Sequence, residues 1–152
     1  MSKIRGFEIV SKYREAGVNL PQRATHFAAG YDVEAAETVT LAAGEIKLIS
    51  TGLKAYMQPG EVLYMYSRSS NPRKKGLVLI NSVGVIDADY YNNPDNEGEM
   101  FMQMCNITDH EVTVEKGERV CQVVFMPFLI ADGDDEAEKA ERAGGFGSTG
   151  FK

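Results

Sequence analysis

With 152 residues, 43% of them hydrophobic and 25% charged, the chain has apolar material for one compact core and too little length for two comfortable ones. A formal net charge of −6 argues against a sequence-independent nucleic-acid binder, which gains affinity by neutralising many phosphates. No stretch approaches the roughly 18 apolar residues of a membrane span, and the start, MSKIRGFEIV, has neither an apolar h-region nor a small-residue cleavage site, so the expectation is a cytoplasmic protein with no membrane partner.

Along the chain, short runs rich in Val, Ile, Leu, Tyr, Phe and Met recur: EIKLIS, EVLYMYS, LVLINSVGVID, EMFMQMCNI, EVTVEKG and RVCQVVFMPFLI. Breakers separate them, among them Gln58-Pro59-Gly60, Asn71-Pro72, Asn93-Pro94-Asp95 and Lys116-Gly117. Many short strands with no crossover helices predict an all-β fold, a barrel or jelly roll. Met100, Met102 and Met104 alternate with Phe101, Gln103 and Cys105, as in a strand filled on at least one face. One helix is expected, around residues 76–80 or in the acidic stretch 134–143. Cys105 and Cys121 lie in apolar runs without metal-ligand spacing and read as buried thiols. His26 and His110 sit in polar, turn-like contexts and carry no expected role. After Ile130 the composition turns acidic and then glycine-rich, which divides the chain into a β domain, residues 1–130, and a flexible C-terminal arm, residues 131–152. Such a tail is either a frayed end or, with Phe146 among glycines and hydroxyls just after Arg142, a lid.

Five segments bear polar groups where chemistry could use them. Asp32 follows Ala28-Ala29-Gly30-Tyr31 and is a strand-end polar residue or a ligand. Arg68, Ser69 and Ser70 close an apolar strand; they form a solvated turn or present a guanidinium fork and hydroxyls to phosphate oxygens. In Asn81–Tyr90, Gly84 lets backbone approach a ligand closely, and Asp87 is a carboxylate after an apolar run, capped structurally or held in a pocket as a base. Gln122 interrupts the run after Gly117-Glu118-Arg119 and must find partners, in the core or on a ligand. Arg142-Ala143-Gly144-Gly145-Phe146-Gly147-Ser148-Thr149-Gly150 offers amides and hydroxyls to an anion and a ring to a base, without the lysine of a Walker-type loop.

In order, AGYD, RSS, NSVGVIDADY, GERVCQ and RAGGFGSTG resemble the five signature motifs of the trimeric dUTPase family and span residues 28–150. The resemblance implies a jelly-roll-like β subunit, a homotrimer with three shared active sites, and an arm that closes over a site formed by its neighbours. It implies hydrolysis of dUTP to dUMP and pyrophosphate with Mg2+, limiting uracil in DNA and supplying dUMP for dTTP synthesis. Carried onto this sequence, Asp87 activates the attacking water, Tyr90 lies against the deoxyribose and rejects a 2′-hydroxyl, and Asn81 with the hairpin backbone from Gly84 through Ile86 reads uracil. Arg68, Ser69, Ser70 and Gln122 hold phosphates, Arg142, Ser148 and Thr149 grip the β and γ groups beside Gly147, and Phe146 stacks on the base. Asp32 supports the water shell of a magnesium held chiefly by the triphosphate.

Where the family usually places about one residue between its Asp-x-Asp-Tyr segment and a Gly-Glu pair, this chain has Tyr91–Glu97, which resembles a subset of bacterial and bacteriophage members, so the setting is a bacterial or phage-infected cytoplasm. The insertion is expected to lengthen a loop beside Tyr90, and it is the natural surface for a regulatory protein partner. The enzymatic rival, a dCTP deaminase of similar fold, is disfavoured by the Asp87 and Tyr90 arrangement.

Overall fold

The computed structural model describes residues 2–136 and 138–146. In chain order the strands are β1 Gly6–Ile9, β2 Gln22–Arg23, β3 Tyr31–Glu34, β4 Val39–Leu41, β5 Ile46–Ser50, β6 Leu53–Tyr56 and β7 Glu61–Ser67, then helix α1 Asn71–Lys75. β8 Leu77–Leu79, β9 Gly84–Asp87, β10 Phe101–Asn106, β11 Val112–Val114 and β12 Arg119–Pro127 follow. All pairings among the described residues are antiparallel, in sheets ordered β2-β3-β12-β7-β9, β5-β10-β8, β1-β6 and β11-β4. This is the all-β, jelly-roll-like architecture expected from the strand pattern.

The core lies between the sheets. On β10, Met102 and Met104 are fully buried while Phe101 and Gln103 are only half-buried, the two-residue alternation of a strand with one face in the core. Leu41, Ile49, Leu63, Val33 and Val123 meet them from other strands. Both cysteines are free and buried; loss of water around Cys121 pushes its thiol up to about 12, so it stays protonated and inert.

The helix is misplaced in the sequence-based expectation. It occupies Asn71–Lys75, because Pro72 presets the first turn, and Gly76, at φ +66°, ends it in the left-handed region. Residues 77–79 instead form a strand whose Leu77 and Leu79 are buried opposite Asn106 and Met104 of β10. In the acidic stretch only a single 3-10 turn forms, Asp134–Glu136.

One register places the functional groups. β9 runs beside β7 with Asp87 opposite Val62 and Gly84 opposite Met65, whereas Ser67, at the other end of β7, pairs with Cys121 of β12. At about 3.3 Å per residue, Arg68 therefore lies roughly 20 Å along β7 from the position of Asp87.

Candidate active site

The first constellation surrounds a cavity of about 200 Å3 between the hairpin-like segment Asn81–Tyr90, β10 and the arm; the strands that flank its turn, β8 and β9, pair into different sheets rather than with each other. Asn81, Gly84, Ile86, Asp87 and Tyr90 line it from the hairpin side, Arg142 and Phe146 from the arm. Sites for drug-sized ligands run to roughly 300–1,000 Å3, so this one suits a base and its sugar rather than a whole nucleoside triphosphate.

Tyr90 ends the 3-10 turn Ala88–Tyr90 and is buried. Its hydroxyl donates to the Glu99 carbonyl at 2.6 Å and accepts from Asn96 Nδ2 at 2.8 Å. Burial raises its pKa above the usual tyrosine value, so the hydroxyl keeps its proton. Asp87 is half-exposed, and its Oδ2 accepts from the Arg142 guanidinium at 2.6 Å. Arg142 Nε donates to Asp89 Oδ1 at 2.8 Å, so one guanidinium fork spans two carboxylates. Gly145 lies flat on Tyr90; a Cβ there would stand 2.7 Å from the ring. Phe146 meets Phe101 edge-on at 6.0 Å and takes a φ of +52°, a region sparsely populated for a bulky residue.

The second constellation sits at the other end of β7. Arg68 Nε donates to Asp32 Oδ1 at 3.1 Å, and Arg119 lies 3.6 Å from Asp32 Oδ2. Ser69 is exposed, and Ser70 precedes α1 without capping it. Gln122 stands opposite Asp32 and reaches the Ser67 carbonyl at 3.4 Å; a Cβ at Gly30 would overlap its amide oxygen at 2.2 Å, so glycine at that position leaves the amide its room.

The expected residues thus fall into two groups, and one chain does not bring Arg68, Ser69, Ser70 and Gln122 to Asp87. Arg142 differs from expectation by holding two carboxylates of its own chain, because Asp87 and Asp89 together outbid solvent for a fork of donors. Gly147, Ser148 and Thr149 lie outside the described residues. Among the described residues no group of three or more Asp, Glu, His or Cys could cage a metal, and Asp32 is already shared by two guanidiniums. Such a donor set fits a magnesium that arrives with a triphosphate and is contacted by Asp32 through water; it does not fit a protein-caged ion.

Sequence reasoning missed Asp89, Arg119, Asn96, Phe101 and Gln103. The last two were within reach, since alternation with the buried methionines puts them together on the opposite face of β10. No helix among the described residues is long and apolar enough to cross a membrane.

Comparison with known proteins adds the family. The dUTPase family matches residues 16–150. A deoxyuridine 5′-triphosphate nucleotidohydrolase of Lactococcus lactis is 78% identical over 148 residues, covering 97% of this chain and 99% of its own, and one from Hahella chejuensis is 40% identical, covering 89% of each. The crystal structure of dUTPase from Streptococcus mutans superposes with a TM-score of 0.81 at 63% identity over 84% of this chain and 99% of that one. A Staphylococcus bacteriophage 80alpha dUTPase G164S mutant with dUpNHpp gives 0.71 at 25% identity over 99% and 100%. With the family matched over most of its length and a relative so similar end to end, the chain belongs to the dUTPase family.

Proposed function

We propose that this chain hydrolyses dUTP to dUMP and pyrophosphate, with water attacking the α-phosphorus. The observation that carries this reading is the convergence of Asn81, Asp87, Tyr90 and Phe146 on one base-sized cavity. Asn81 and the hairpin backbone bond the uracil edge, Tyr90 closes the sugar side against a 2′-hydroxyl, and Phe146 covers the base. Asp87 takes the proton of the attacking water. Its present partner, Arg142, is drawn to the triphosphate when substrate binds, which frees the carboxylate as the substrate becomes held. Gly147, Ser148 and Thr149 continue that grip along the arm.

Phosphates need the second constellation, Arg68, Ser69, Ser70 and Gln122, which lies too far along β7 to serve Asp87 of the same chain. A homotrimer in which one subunit's phosphate group faces its neighbour's hairpin completes the site. Exposed Ile46 and Leu48 on the outer face of β5, and Val85 on β9, are apolar surface for such packing. Mg2+, bound through the triphosphate, supplies charge neutralisation, and Asp32 holds its water shell. Action in the cytoplasm, beside the nucleotide pools, goes with this function.

Pyrophosphate release measured from dUTP, dCTP, dTTP and UTP, with and without Mg2+, tests the reading. Turnover of dUTP alone, dependent on the metal, is expected; comparable turnover of dCTP or UTP refutes it.

A further inference from the structure

The insertion Tyr91–Glu97 is packed against the body rather than hung from it. Lys54, itself buried, donates to Asn92 Oδ1 and Glu97 Oε2, each at 2.6 Å. Glu97 also accepts from the Ser11 amide at 3.1 Å and the Ser11 hydroxyl at 3.2 Å. The Tyr91 hydroxyl donates to Glu8. Inside the loop, buried Asn93 donates to the Tyr90 carbonyl at 2.7 Å, and its Oδ1 accepts from the amides of Asp95 and Asn96 at 3.0 and 3.1 Å. Asn96 Oδ1 accepts from Asn93 Nδ2 at 2.8 Å and from the Gly98 amide at 3.0 Å. That leaves the Asn96 amide nitrogen aimed at the Tyr90 hydroxyl, 2.8 Å away. The Asp95 amide also reaches the Ala143 carbonyl at 3.2 Å, so the loop touches the arm where it turns onto Tyr90.

We propose that Asn96 is a positioning residue for sugar discrimination: the insertion is a rigid bracket, anchored by Lys54 and Glu97, that clamps the hydroxyl end of Tyr90 so that the ring cannot yield to a ribose 2′-hydroxyl. A ring tethered only by its own donation to Glu99 can tilt about that bond; a second hydrogen bond removes the freedom. The inference rests on the reading of Tyr90 as the sugar-facing wall.

The test is the ratio of kcat/KM for dUTP to kcat/KM for UTP, with melting temperature alongside. Asn96→Ala is expected to lower the ratio about tenfold, the scale of one lost hydrogen bond, and Tyr90→Phe at least as much, because it also removes the donation to the Glu99 carbonyl. The double variant should lower it no further than Tyr90→Phe alone, because the Asn96–Tyr90 hydrogen bond is already absent there. For the Asn96 variants the loss should come mainly from a lower KM for UTP with kcat for dUTP retained, since Asn96 does not line the cavity; a merely structural role would depress both nucleotides in proportion. Asn96→Asp keeps the acceptor that holds Asn93 and Gly98 and loses the donor to Tyr90, so it gives the same readout if Asn96→Ala fails to fold. Tyr90→Ala separates the two layers of the argument. If it lowers the ratio while Asn96→Ala, Asn96→Asp and Tyr90→Phe leave it unchanged, the bracket is overturned and the wall stands. If it leaves the ratio unchanged, the wall itself is overturned and the bracket with it.

Discussion

At the scale of single residues, two carboxyl groups sit in opposite environments. Asp87 is half-exposed and ion-paired, free to exchange Arg142 for solvent or substrate. Asp87→Asn retains a hydrogen-bonding group that cannot take a proton, so turnover should fall by about 10²–10⁴-fold while binding of a non-hydrolysable dUTP analogue and the melting temperature persist. Wild-type turnover in an intact protein would remove Asp87 from the role of base. Glu99, by contrast, is buried, accepts from the Gly52 amide at 3.1 Å, and faces Glu37, Lys12 and Ser50. Burial raises its pKa above the ordinary 4.5. The folded protein therefore binds that proton more tightly than the unfolded chain, and the penalty, absent below the ordinary value, grows as pH rises through the folded-state value. Glu99→Gln should gain melting temperature relative to wild type as pH is raised from about 4 to about 8, and a difference independent of pH would contradict the burial argument. Asp87 was legible in the sequence as a carboxylate ending an apolar run. Glu99 was not, because its amide and charge partners, Gly52, Lys12 and Glu37, come from segments distant in sequence.

Elements were legible where one repeat decides them. Alternation marks β10, since three methionines spaced by two must share a face. The helix was not, because Pro72 and Gly76 bracket a single turn too short to show periodicity. The sequence presents Tyr91–Glu97 as a surface loop, yet Glu97 finds Ser11 and Lys54 across distances of 86 and 43 residues in sequence, contacts that no local pattern announces. The arm poses the sharper question of lid or frayed end. Gly145 is in contact with Tyr90, and Gly145→Ala would drive a Cβ to 2.7 Å from the ring, so arm or ring must shift. Turnover should drop about a hundredfold, the cost of displacing a positioned group by an ångström. Removing residues from Arg142 onward should cost at least as much activity if the arm is the proposed lid, because it takes Arg142 and Phe146 from the cavity lining. Stability should scarcely respond, since no described residue of the arm belongs to the buried core cluster. A melting temperature lowered by more than about 4 °C, which corresponds to more than roughly 1 kcal/mol in a domain this long, would show that the arm is structural, and full activity after truncation would show that it is no lid.

At the scale of the whole molecule, the separation of the two constellations along β7 makes a prediction that mass alone does not. The protein should sediment at three times the 16.7 kDa chain mass, but a trimer with self-contained sites would do the same. Complementation distinguishes them. Asp87→Asn chains keep the second constellation, the proposed phosphate-binding group, intact, and chains carrying Arg68→Ala keep an intact hairpin; each homotrimer should be nearly inactive. If a site takes its hairpin from one subunit and its phosphate group from a neighbour, unfolding and refolding an equal mixture creates sites with both intact halves. Random assembly places them at about one quarter of positions, so roughly that share of wild-type turnover should return. Sites built within one chain would recover nothing at any mixing ratio, because every hairpin with a good carboxylate would be joined to a damaged phosphate group. The same mixture reports on the arm. Described residues 142–146 lie on their own chain's cavity, whereas the family resemblance puts the arm over a neighbour's site. Chains that combine Asp87→Asn with Arg142→Ala, mixed with Arg68→Ala chains, should recover the same quarter if the arm serves the hairpin of its own chain, since every intact hairpin then keeps its intact arm. Recovery well below that level would show that the arm crosses between subunits.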